Sequence, residues 1–410
     1  MIDLYATLEN LRMTDQLARE MRLDRTLVAG IVKGSCDHRR IASMLSANSI
    51  GDADVAEMIF EQLIEGVFKR LDVWGGLIDD GRMNEAERIF RLAATGGPYV
   101  SANLAFGAIE FIRGNDTAAF EHYRRVRESR PCYVAHPSWG AYTLLSPEQI
   151  LGLHTSNIQV PDWLGSIAVE RQPVNSGKPL VIIPCDDLYL FAFAERELKS
   201  MLLNGIKELH FHLYNPTAAG FGEIDRLRAE YPDAHISCSS EHFQVDDLRG
   251  AAVAVRYIRL AEFLRAFGRP ILLIDADVTF RGNFIAELEH IEASYGIKRF
   301  KGVPAFHPWR KVSGGFVYVK PDRGGVQFAT LVSRYLSTSF NVKSDKNWWS
   351  DQAALHYAHE LIFRYTDVAS VNLLSLSARL LTFQTRKNEE LKAARKRLTG
   401  ELEMLRKVSA

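Results

Sequence analysis

The chain has 410 residues, 47% of them apolar, which is enough to bury a large core and at this length favours two or three domains. Fifty basic and fifty acidic residues cancel, which argues against a general nucleic-acid-binding protein. No apolar run approaches the roughly 18 residues of a membrane span, and the N-terminus lacks the apolar stretch of a signal peptide.

Four cysteines are widely spaced and form no C-x-x-C pair, so we expect reduced thiols rather than a zinc site or a disulfide framework. They are Cys36, Cys132, Cys185 and Cys238. Reduced thiols and the absence of a signal peptide together favour a cytoplasmic protein.

Residues 1–170 show helical periodicity and few strand signals, which predicts an all-α domain. Within it, DDGRMNEAERIF (79–90) and IRGNDTAAFEHY (112–123) align at an offset of 33 residues. The alignment superposes three pairs: Gly81 on Gly114, Ala86 on Ala119, and Phe90 on Tyr123. A turn glycine followed by a small residue and an aromatic residue is typical of tetratricopeptide-like helix pairs. An ordinary helical bundle is the alternative.

A polar segment, RQPVNSGKP (171–179), separates this half from residues 178–384, where short apolar runs alternate with helical segments. That alternation predicts an α/β domain with a mostly parallel sheet. Ligands bind at the carboxyl ends of the strands in such sheets. The first run ends in Asp186 and Asp187 and a later one in Asp275 and Asp277, so we expect all four carboxylates to face one crevice.

Residues 385–410 predict a basic C-terminal helix, with eight Lys or Arg residues against four Glu. Leu391, Leu398, Leu402 and Leu405 form an incomplete apolar stripe along it. We expect a solvated helix that packs on its own domain or on a second subunit of a homo-oligomer. Peripheral contact with the anionic inner face of a membrane is the alternative.

The run ILLIDADVTF (271–280) ends in two aspartates, Asp275 and Asp277, whose side chains point the same way because side chains alternate along an extended chain. Two adjacent carboxylates repel and require a compensating cation. Mg²⁺ and Mn²⁺ prefer a few carboxylates together with phosphate oxygens. The pattern therefore predicts a site for Mn²⁺ or Mg²⁺, unless both aspartates only cap the following loop.

D-x-D-x-T after an apolar strand is also the nucleophile motif of haloacid-dehalogenase-type phosphatases. There, Asp275 would attack phosphorus and Asp277 would be the general acid. In that family the motif normally follows the first strand of the domain, whereas here the α/β chain from residue 178 precedes it. No acidic pair in a strand context follows it either. The phosphatase is the weaker hypothesis.

Five segments between residues 180 and 360, in order, resemble the GT-A glycosyltransferases of family 8, which include bacterial galactosyltransferases and glycogenin. They are VIIPCDDLYLFAFAERELKSML, FHLYNP, RYIRLAEFLRAFGRPILLIDADV, VSGGFVYVK (312–320) and WWSDQAALHYAHE (348–360). The resemblance implies a GT-A fold and transfer of a sugar, with retention of anomeric configuration, from a nucleotide-diphosphate donor, with a UDP-sugar favoured. A glycan, a lipid-linked glycan or a protein would be the acceptor, and no nucleic acid would be bound.

Residue by residue, the resemblance implies that Asp275 and Asp277 hold the divalent ion on the donor diphosphate. Asp351 and Gln352 would lie at the sugar, near the reacting anomeric carbon. The family's Asn-Ala-Gly segment, which contacts the donor sugar, reads Ser313-Gly314-Gly315 here.

The nucleotide would be bound by Tyr189, stacking on the base, and by Asp186, accepting protons from the base or ribose, with Asp187 in the same wall. Arg259 would pair with phosphate or orient the D-x-D carboxylates, and Arg256, one turn earlier, could share that role. The alternatives are structural: Tyr189 covers a core edge, Arg259 forms a surface ion pair, and Asp351 begins a helix.

The family's late His-x-x-Gly-x-x-Lys-Pro-Trp segment, which supplies a third metal ligand, is absent. We expect His307, His356 and His359 to be structural or surface residues rather than replacements. A non-catalytic nucleotide-sugar-binding or scaffold protein is therefore the alternative to an enzyme.

Overall fold

The structure is a computed structural model. Besides single residues between 53 and 67 and residue 157, it describes residues 38–47, 80–113, 115–128, 145–155, 160–245, 248–299, 312–341, 350–383 and 387–408. Cys36, Cys132, Gly114 and His307 lie outside the described residues, whereas Cys185 and Cys238 are buried free thiols.

The chain divides into two compact units, Met1–Gln149 with Lys301–Lys311, and Ile150–Phe300 with Val312–Ala410. The predicted domain boundaries stay a prediction. Residues 168–171, at the end of the predicted helical half, form an edge strand hydrogen-bonded to the sheet of the second unit.

The described elements of the first unit are helices. They are α1 (His38–Ser46), α2 (Asp80–Ala94), α3 (Val100–Arg113) and α4 (Asp116–Glu128), and a short α5 (Pro147–Gly152) spans the division between the units. Ala86 and Phe90 on α2 are buried, as are the aligned Ala119 and Tyr123 on α4. The two aligned helices thus bury corresponding positions, while the tetratricopeptide-like repeat stays a prediction.

The second unit is built on a mixed eight-stranded sheet within the described residues, in the order β1-β4-β3-β2-β5-β8-β7-β9, beside a two-stranded pair, β6 with β10. The strands are β1 (Ala168–Arg171), β2 (Leu180–Asp186), β3 (Glu208–Tyr214), β4 (His235–Glu241), β5 (Ile271–Ile274), β6 (Val278–Phe280), β7 (Tyr295–Arg299), β8 (Val312–Val319), β9 (Ser370–Asn372) and β10 (Leu381–Phe383). Strands β4, β3, β2 and β5 are mutually parallel, which confirms the predicted α/β class.

Helices connect and cover these strands. They are α6 (Asp187–Leu203), α7 (Ala218–Glu230), α8 (Leu248–Ile258), α9 (Leu260–Phe267), α10 (Phe284–Glu289), α11 (Arg323–Asn341), α12 (Ser350–Tyr365), α13 (Leu374–Leu380) and α14 (Lys387–Val408). Among the described helices, none is both long and apolar enough to span a membrane.

The order of the strands creates the crevice. From β2 the chain proceeds outward to β3 and β4, then returns to place β5 on the other side of β2. Such a reversal separates the connections that follow adjacent strands and opens a cleft at their carboxyl ends. Residues 186–187 and 275–277 follow these two strands, so the fold brings both acidic segments to one edge of the sheet.

The basic helix α14 packs on α6, its own domain, as predicted. Ala394 is buried against Phe191, Leu398 packs beside it, and the Arg397 guanidinium donates to the Phe191 carbonyl. The side chains of Leu402 and Leu405 lie outside the described residues. Contact with a membrane stays a prediction.

A buried polar ladder joins β3 to β4. His210 hydrogen-bonds to Ser237 at 2.9 Å and to Ser239 at 2.7 Å. His212 hydrogen-bonds to Ser239 and to Glu241, each at 2.8 Å. Both rings are fully buried, and burial, with a smaller contribution from His212, lowers the pKa of His210 to about 3. His210 is therefore neutral in the folded protein at neutral pH.

The buried histidine predicts acid sensitivity. In the unfolded chain His210 takes up a proton near its ordinary pKa of about 6.5, so the free energy of unfolding should fall as pH decreases from about 6.5 toward 3. The slope from this one residue is at most about 1.4 kcal/mol per pH unit. Urea denaturation over this range should give a shallower slope for His210→Gln than for wild type. Equal slopes would contradict the assignment, whatever the variant's absolute stability.

Candidate active site

The D-x-D segment links β5 to β6. Ala276 is buried in the core, whereas Asp275 and Asp277 on either side of it are half-buried and face outward. The Asp275 backbone N–H donates to the Gly315 carbonyl at 3.1 Å, which fixes the segment against β8. The burial pattern alternates along this turn, and a common direction of the two carboxylates stays a prediction.

Arg256 on α8 connects three segments of the site. Its guanidinium donates to the Asp275 carboxylate, to the Gly314 carbonyl at 2.9 Å, and to Oδ2 of Asp351 at 3.5 Å. The side chain is buried, so these charge-assisted bonds operate away from water, where they are strong. The Arg256 guanidinium thus pairs with two carboxylates that lie far apart in the sequence.

Asp351 lies in the first turn of α12 and is 5% exposed. Burial raises the pKa of this carboxyl, and the charge of Arg256 opposes the rise. A Cβ atom at Gly314 would overlap Oδ2 of Asp351, and it would lie 3.5 Å from Cγ of Gln352. The Tyr257 hydroxyl donates to the Gly314 carbonyl and holds this part of β8 in place. The structure thus brings Ser313-Gly314-Gly315 against the Asp351-Gln352 pair.

Asp186 is the N-cap of α6. One of its carboxylate oxygens accepts the Tyr189 backbone N–H at 2.8 Å, and the side chain is exposed at the end of β2. Partial desolvation raises its pKa, and the N–H bonds oppose this. The Tyr189 ring is half-buried and packs edge-on against Phe193, with ring centroids 5.5 Å apart. Tyr189 also packs against the core, as in the alternative that it covers a core edge, and nucleotide binding by Asp186 and Tyr189 stays a prediction.

Asp187 does not belong to that wall. It is buried, and its Oδ2 accepts the Thr217 backbone N–H at 3.0 Å and the Thr217 hydroxyl at 2.6 Å. The other oxygen, Oδ1, is packed against Gly220. The expectation that all four aspartates face one crevice is wrong for Asp187, because its side chain points into the N-terminus of α7 and holds that helix.

Arg259 is also placed differently from the expectation. Its three nitrogens donate to Glu241 at 3.0 Å, to Glu262 at 2.8 Å, and to the Gly165 carbonyl. The side chain is 3% exposed, so it pairs neither with the D-x-D carboxylates nor at the surface. Arg259 lies at the break between α8 and α9. It extends the buried polar ladder, and Arg256 alone of the two arginines contacts Asp275.

The sequence analysis did not identify Glu197, on α6. This carboxylate is 1% exposed, and neither oxygen has a hydrogen-bond partner. Burial raises its pKa well above the ordinary value; the charges of Asp277 and Asp275 add to the rise, and the charge of Arg196 opposes it. One signal in the sequence could have identified it. Glu197 shares a helix face with Ala194, Leu198 and Met201, which all belong to the core.

The histidines lie away from the D-x-D segment where they are described. Nε2 of His359 accepts from Arg299 at 2.8 Å, and Nδ1 shares a 2.8 Å hydrogen bond with the Tyr295 hydroxyl. Burial, with a smaller contribution from Arg299, lowers the pKa of His359 to about 4. His356 is buried on the same helix. These positions agree with a structural role for both.

No group of three His, Cys, Asp or Glu side chains in the described part of the chain is arranged to hold a metal ion. The donor set that remains at the D-x-D segment is the pair Asp275 and Asp277. Two carboxylates without a protein cage fit an ion whose other ligands are phosphate oxygens, the usual arrangement for Mg²⁺.

No family model matches the chain, and no curated protein matches it. Among solved structures, the bifunctional glycosyltransferase WbbM matches 55% of this chain and 45% of its own, at 13% identity and a TM-score of 0.37. The galactosyltransferase LgtC, solved with donor and acceptor sugar analogs, matches 43% of this chain and 69% of its own, at 15% identity and a TM-score of 0.32. The glycosyltransferase GlyE of Streptococcus pneumoniae matches 47% of this chain and 45% of its own, at 14% identity and a TM-score of 0.32.

This chain therefore spans less than half the length of WbbM and of GlyE. TM-scores this low do not establish a shared fold, so membership of glycosyltransferase family 8 stays a prediction. The function has to be inferred from the site itself.

The close approach of Gly314 to Asp351 predicts the effect of a methyl group. Gly314→Ala should destabilise the protein by about 1–3 kcal/mol, the usual range for overpacking a buried site. Gly222 on α7 is the matched control because a Cβ there meets nothing within 4 Å, and Gly222→Ala in a helix should be neutral or stabilising. Thermal unfolding compares the two, and equal melting temperatures would contradict the observed contact.

Removing Arg256 should leave two carboxylates without their shared cation. Arg256→Met is expected to destabilise by about 3–5 kcal/mol, because Asp351 stays buried with no countercharge. The double variant Arg256→Met with Asp351→Asn should recover part of the loss. Arg265→Met is the control, since Arg265 donates only to the Ala261 carbonyl, at 3.2 Å. Urea denaturation measures the series, and additive losses would argue against coupling of Arg256 to Asp351.

Proposed function

We propose that the second unit is a metal-dependent glycosyltransferase that moves a sugar from a nucleotide-diphosphate donor, with a UDP-sugar favoured, to a glycan, a lipid-linked glycan or a protein. The observation that carries the proposal is the cluster of Asp275, Arg256 and Asp351 beside Gly314. It lies at the crevice where β2 and β5 diverge. Described residues of the five segments that resemble family 8 supply this cluster, and their acidic residues would supply the charges this chemistry requires.

Asp275 and Asp277 would hold Mn²⁺ or Mg²⁺ on the donor diphosphate. When bound, the ion would supply positive charge to the β-phosphate as negative charge develops on it. Arg256 is already engaged with Asp275 and Asp351, so its role is to orient those carboxylates rather than to bind phosphate directly. The buried setting makes each of these interactions stronger than it would be in water.

Asp351 and Gln352 would face the sugar. A carboxylate beside the anomeric carbon stabilises the positive charge of an oxocarbenium-like transition state. Asp351 is held by Arg256 and packed against Gly314, which fixes its position without a bulky neighbour. Asp186 and Tyr189 would bind the nucleotide at the end of β2, and we expect retention of anomeric configuration from the resemblance.

A non-catalytic nucleotide-sugar-binding or scaffold protein is the second candidate. The observation that favours it is that Arg256 already pairs with both Asp275 and Asp351. The phosphatase hypothesis has no comparable support, because the D-x-D segment follows β5 rather than the first strand and Asp275 is bound by Arg256.

Calorimetric titration of UDP and GDP, with and without Mn²⁺, tests the proposal. We expect one nucleotide to bind only with Mn²⁺, and Asp277→Ala to lose that binding. Asp225→Ala is the control, because Asp225 is an exposed aspartate on α7, paired with Arg228 at 2.9 Å. If wild type binds neither nucleotide, the result contradicts the proposed use of a nucleotide-sugar donor, despite the sequence resemblance.

Turnover separates the enzyme from the scaffold. Release of nucleoside diphosphate from a panel of nucleotide-sugars should be measurable in wild type and reduced roughly 100-fold in Asp351→Asn, the size of loss typical for one electrostatic contact to a transition state. If wild type binds a nucleotide in the presence of Mn²⁺ but releases no nucleoside diphosphate from nucleotide-sugars with any acceptor class, the result would favour the scaffold. Nucleotide affinity in Asp351→Asn serves as the control for folding.

A further inference from the structure

Strand β7 ends at the same edge of the sheet as β5. Both strands pair antiparallel with β8, which lies between them, so β7 and β5 run in the same direction. Ligands of α/β sheets bind at the carboxyl ends of such strands. Two cationic residues, Lys298 and Arg299, occupy the carboxyl end of β7. They therefore lie at the edge where the D-x-D segment follows β5.

The side chains of these two cations point to opposite faces of the sheet. Arg299 donates to Nε2 of His359 on α12 at 2.8 Å, so its side chain lies on the α12 face. A Cβ atom at Gly296 would lie 2.9 Å from the side chain of Leu373, on the other face. Because side chains alternate along a strand, Lys298 points to the same face as Gly296, away from α12.

The face to which Lys298 points also holds β6. Leu373 belongs to one buried apolar cluster with Val278 and Phe280, which are both in β6. Strand β6 begins directly after Asp277, so the chain turns onto this face as it leaves the D-x-D segment. Lys298 and the D-x-D segment therefore lie at one edge of the sheet, on the side where β6 packs.

Strand pairing places Lys298 near the D-x-D segment. Lys298 is paired with Ser313 of β8, and Gly315, two residues further along β8, accepts the Asp275 backbone N–H at 3.1 Å. The register shifts between Ile297 and Lys298, but the additional residues are in β8, so β7 itself stays regular. Two strand spacings separate β7 from β5, about 10 Å. An extended lysine side chain and a phosphate group together can span such a distance.

The strand order determines which part of a donor would lie near Lys298. The proposed nucleoside-binding residues Asp186 and Tyr189 lie at the end of β2, the D-x-D segment follows β5, and Lys298 lies beyond β8 on β7. A donor with its nucleoside at β2 and its phosphates at the D-x-D segment extends toward β7. The β-phosphate is then closer to Lys298 than the α-phosphate is.

The setting of Lys298 suits an anion. The residue is half-buried, and burial lowers the pKa of its amine. A partly desolvated cation attracts an anion more strongly than an exposed one does. Lysine binds phosphate as a compact point charge. A phosphate group therefore fits this position better than an uncharged sugar hydroxyl does.

We propose that Lys298 binds the β-phosphate of the nucleotide-diphosphate donor, on the side of the D-x-D segment away from the nucleoside. This rests on the proposed function and adds to it a phosphate-binding residue supplied by β7. The role differs from that of Arg256, which is engaged with Asp275 and Asp351 and orients those carboxylates.

Calorimetric titration of UDP and GDP with Mn²⁺ into the full chain tests this. Lys298→Met should raise the Kd of the nucleotide that wild type binds by about tenfold or more, the loss expected for one charge-assisted hydrogen bond. Lys298→Arg keeps the charge and should retain most of the affinity. Lys320→Met is the matched control, because Lys320 follows the opposite end of β8 and donates to the Glu292 carbonyl at 3.1 Å. It should bind nucleotide as wild type does.

The monophosphates UMP and GMP separate a direct contact from a structural effect. Lys298→Met should weaken diphosphate binding more than monophosphate binding, because a monophosphate lacks the β-phosphate. An unchanged diphosphate Kd, or equal losses for both kinds of nucleotide, would overturn the proposal for Lys298 and leave the glycosyltransferase proposal standing. If wild type binds no nucleotide, both proposals fail. Thermal unfolding checks that each variant is folded, and Lys298→Gln replaces Lys298→Met if the latter is not.

Discussion

The ion-pair cluster around Arg256 is the interaction on which the site depends. A single buried guanidinium binds Asp275 after β5, the Gly314 carbonyl in β8, and Asp351 at the start of α12. Asp351 lies 95 residues along the chain from Arg256. Because a buried charge must be compensated, none of the three can shift without leaving another unpaired. The cluster therefore couples the geometry of the crevice to the folding of the whole α/β unit.

Backbone geometry supports the same point. Gly314 allows Asp351 and Gln352 to approach β8, and the Tyr257 hydroxyl and Arg256 both donate to its carbonyl. A residue with a side chain would separate the strand from α12. The glycine at position 314 is thus explained by packing.

The unit contains two buried polar systems with opposite character. The ladder from His210 through His212 and Glu241 to Arg259 pairs its groups internally and joins β3, β4 and α9. The buried carboxyl of Glu197 instead has no hydrogen-bond partner; burial raises its pKa, the charge of Asp277 adds to this, and the charge of Arg196 opposes it. Satisfied networks stabilise a fold, whereas a buried polar group without a hydrogen-bond partner is costly.

The sequence by itself determined the α/β class, the positions of the principal strands, and the acidic residues at the ends of β2 and β5, because apolar runs and alternation depend on local residue order. The tertiary structure decided which of those residues face the crevice. Arg256 and Arg259 would share a face only on a continuous helix. Because the helix breaks between α8 and α9, Arg256 pairs with Asp275 whereas Arg259 pairs with Glu241. The Asp187 carboxylate accepts a hydrogen bond from the Thr217 hydroxyl instead of facing the crevice, and Glu197 is buried on α6, which packs on β6. Long-range contacts set those outcomes, and no local pattern encodes them.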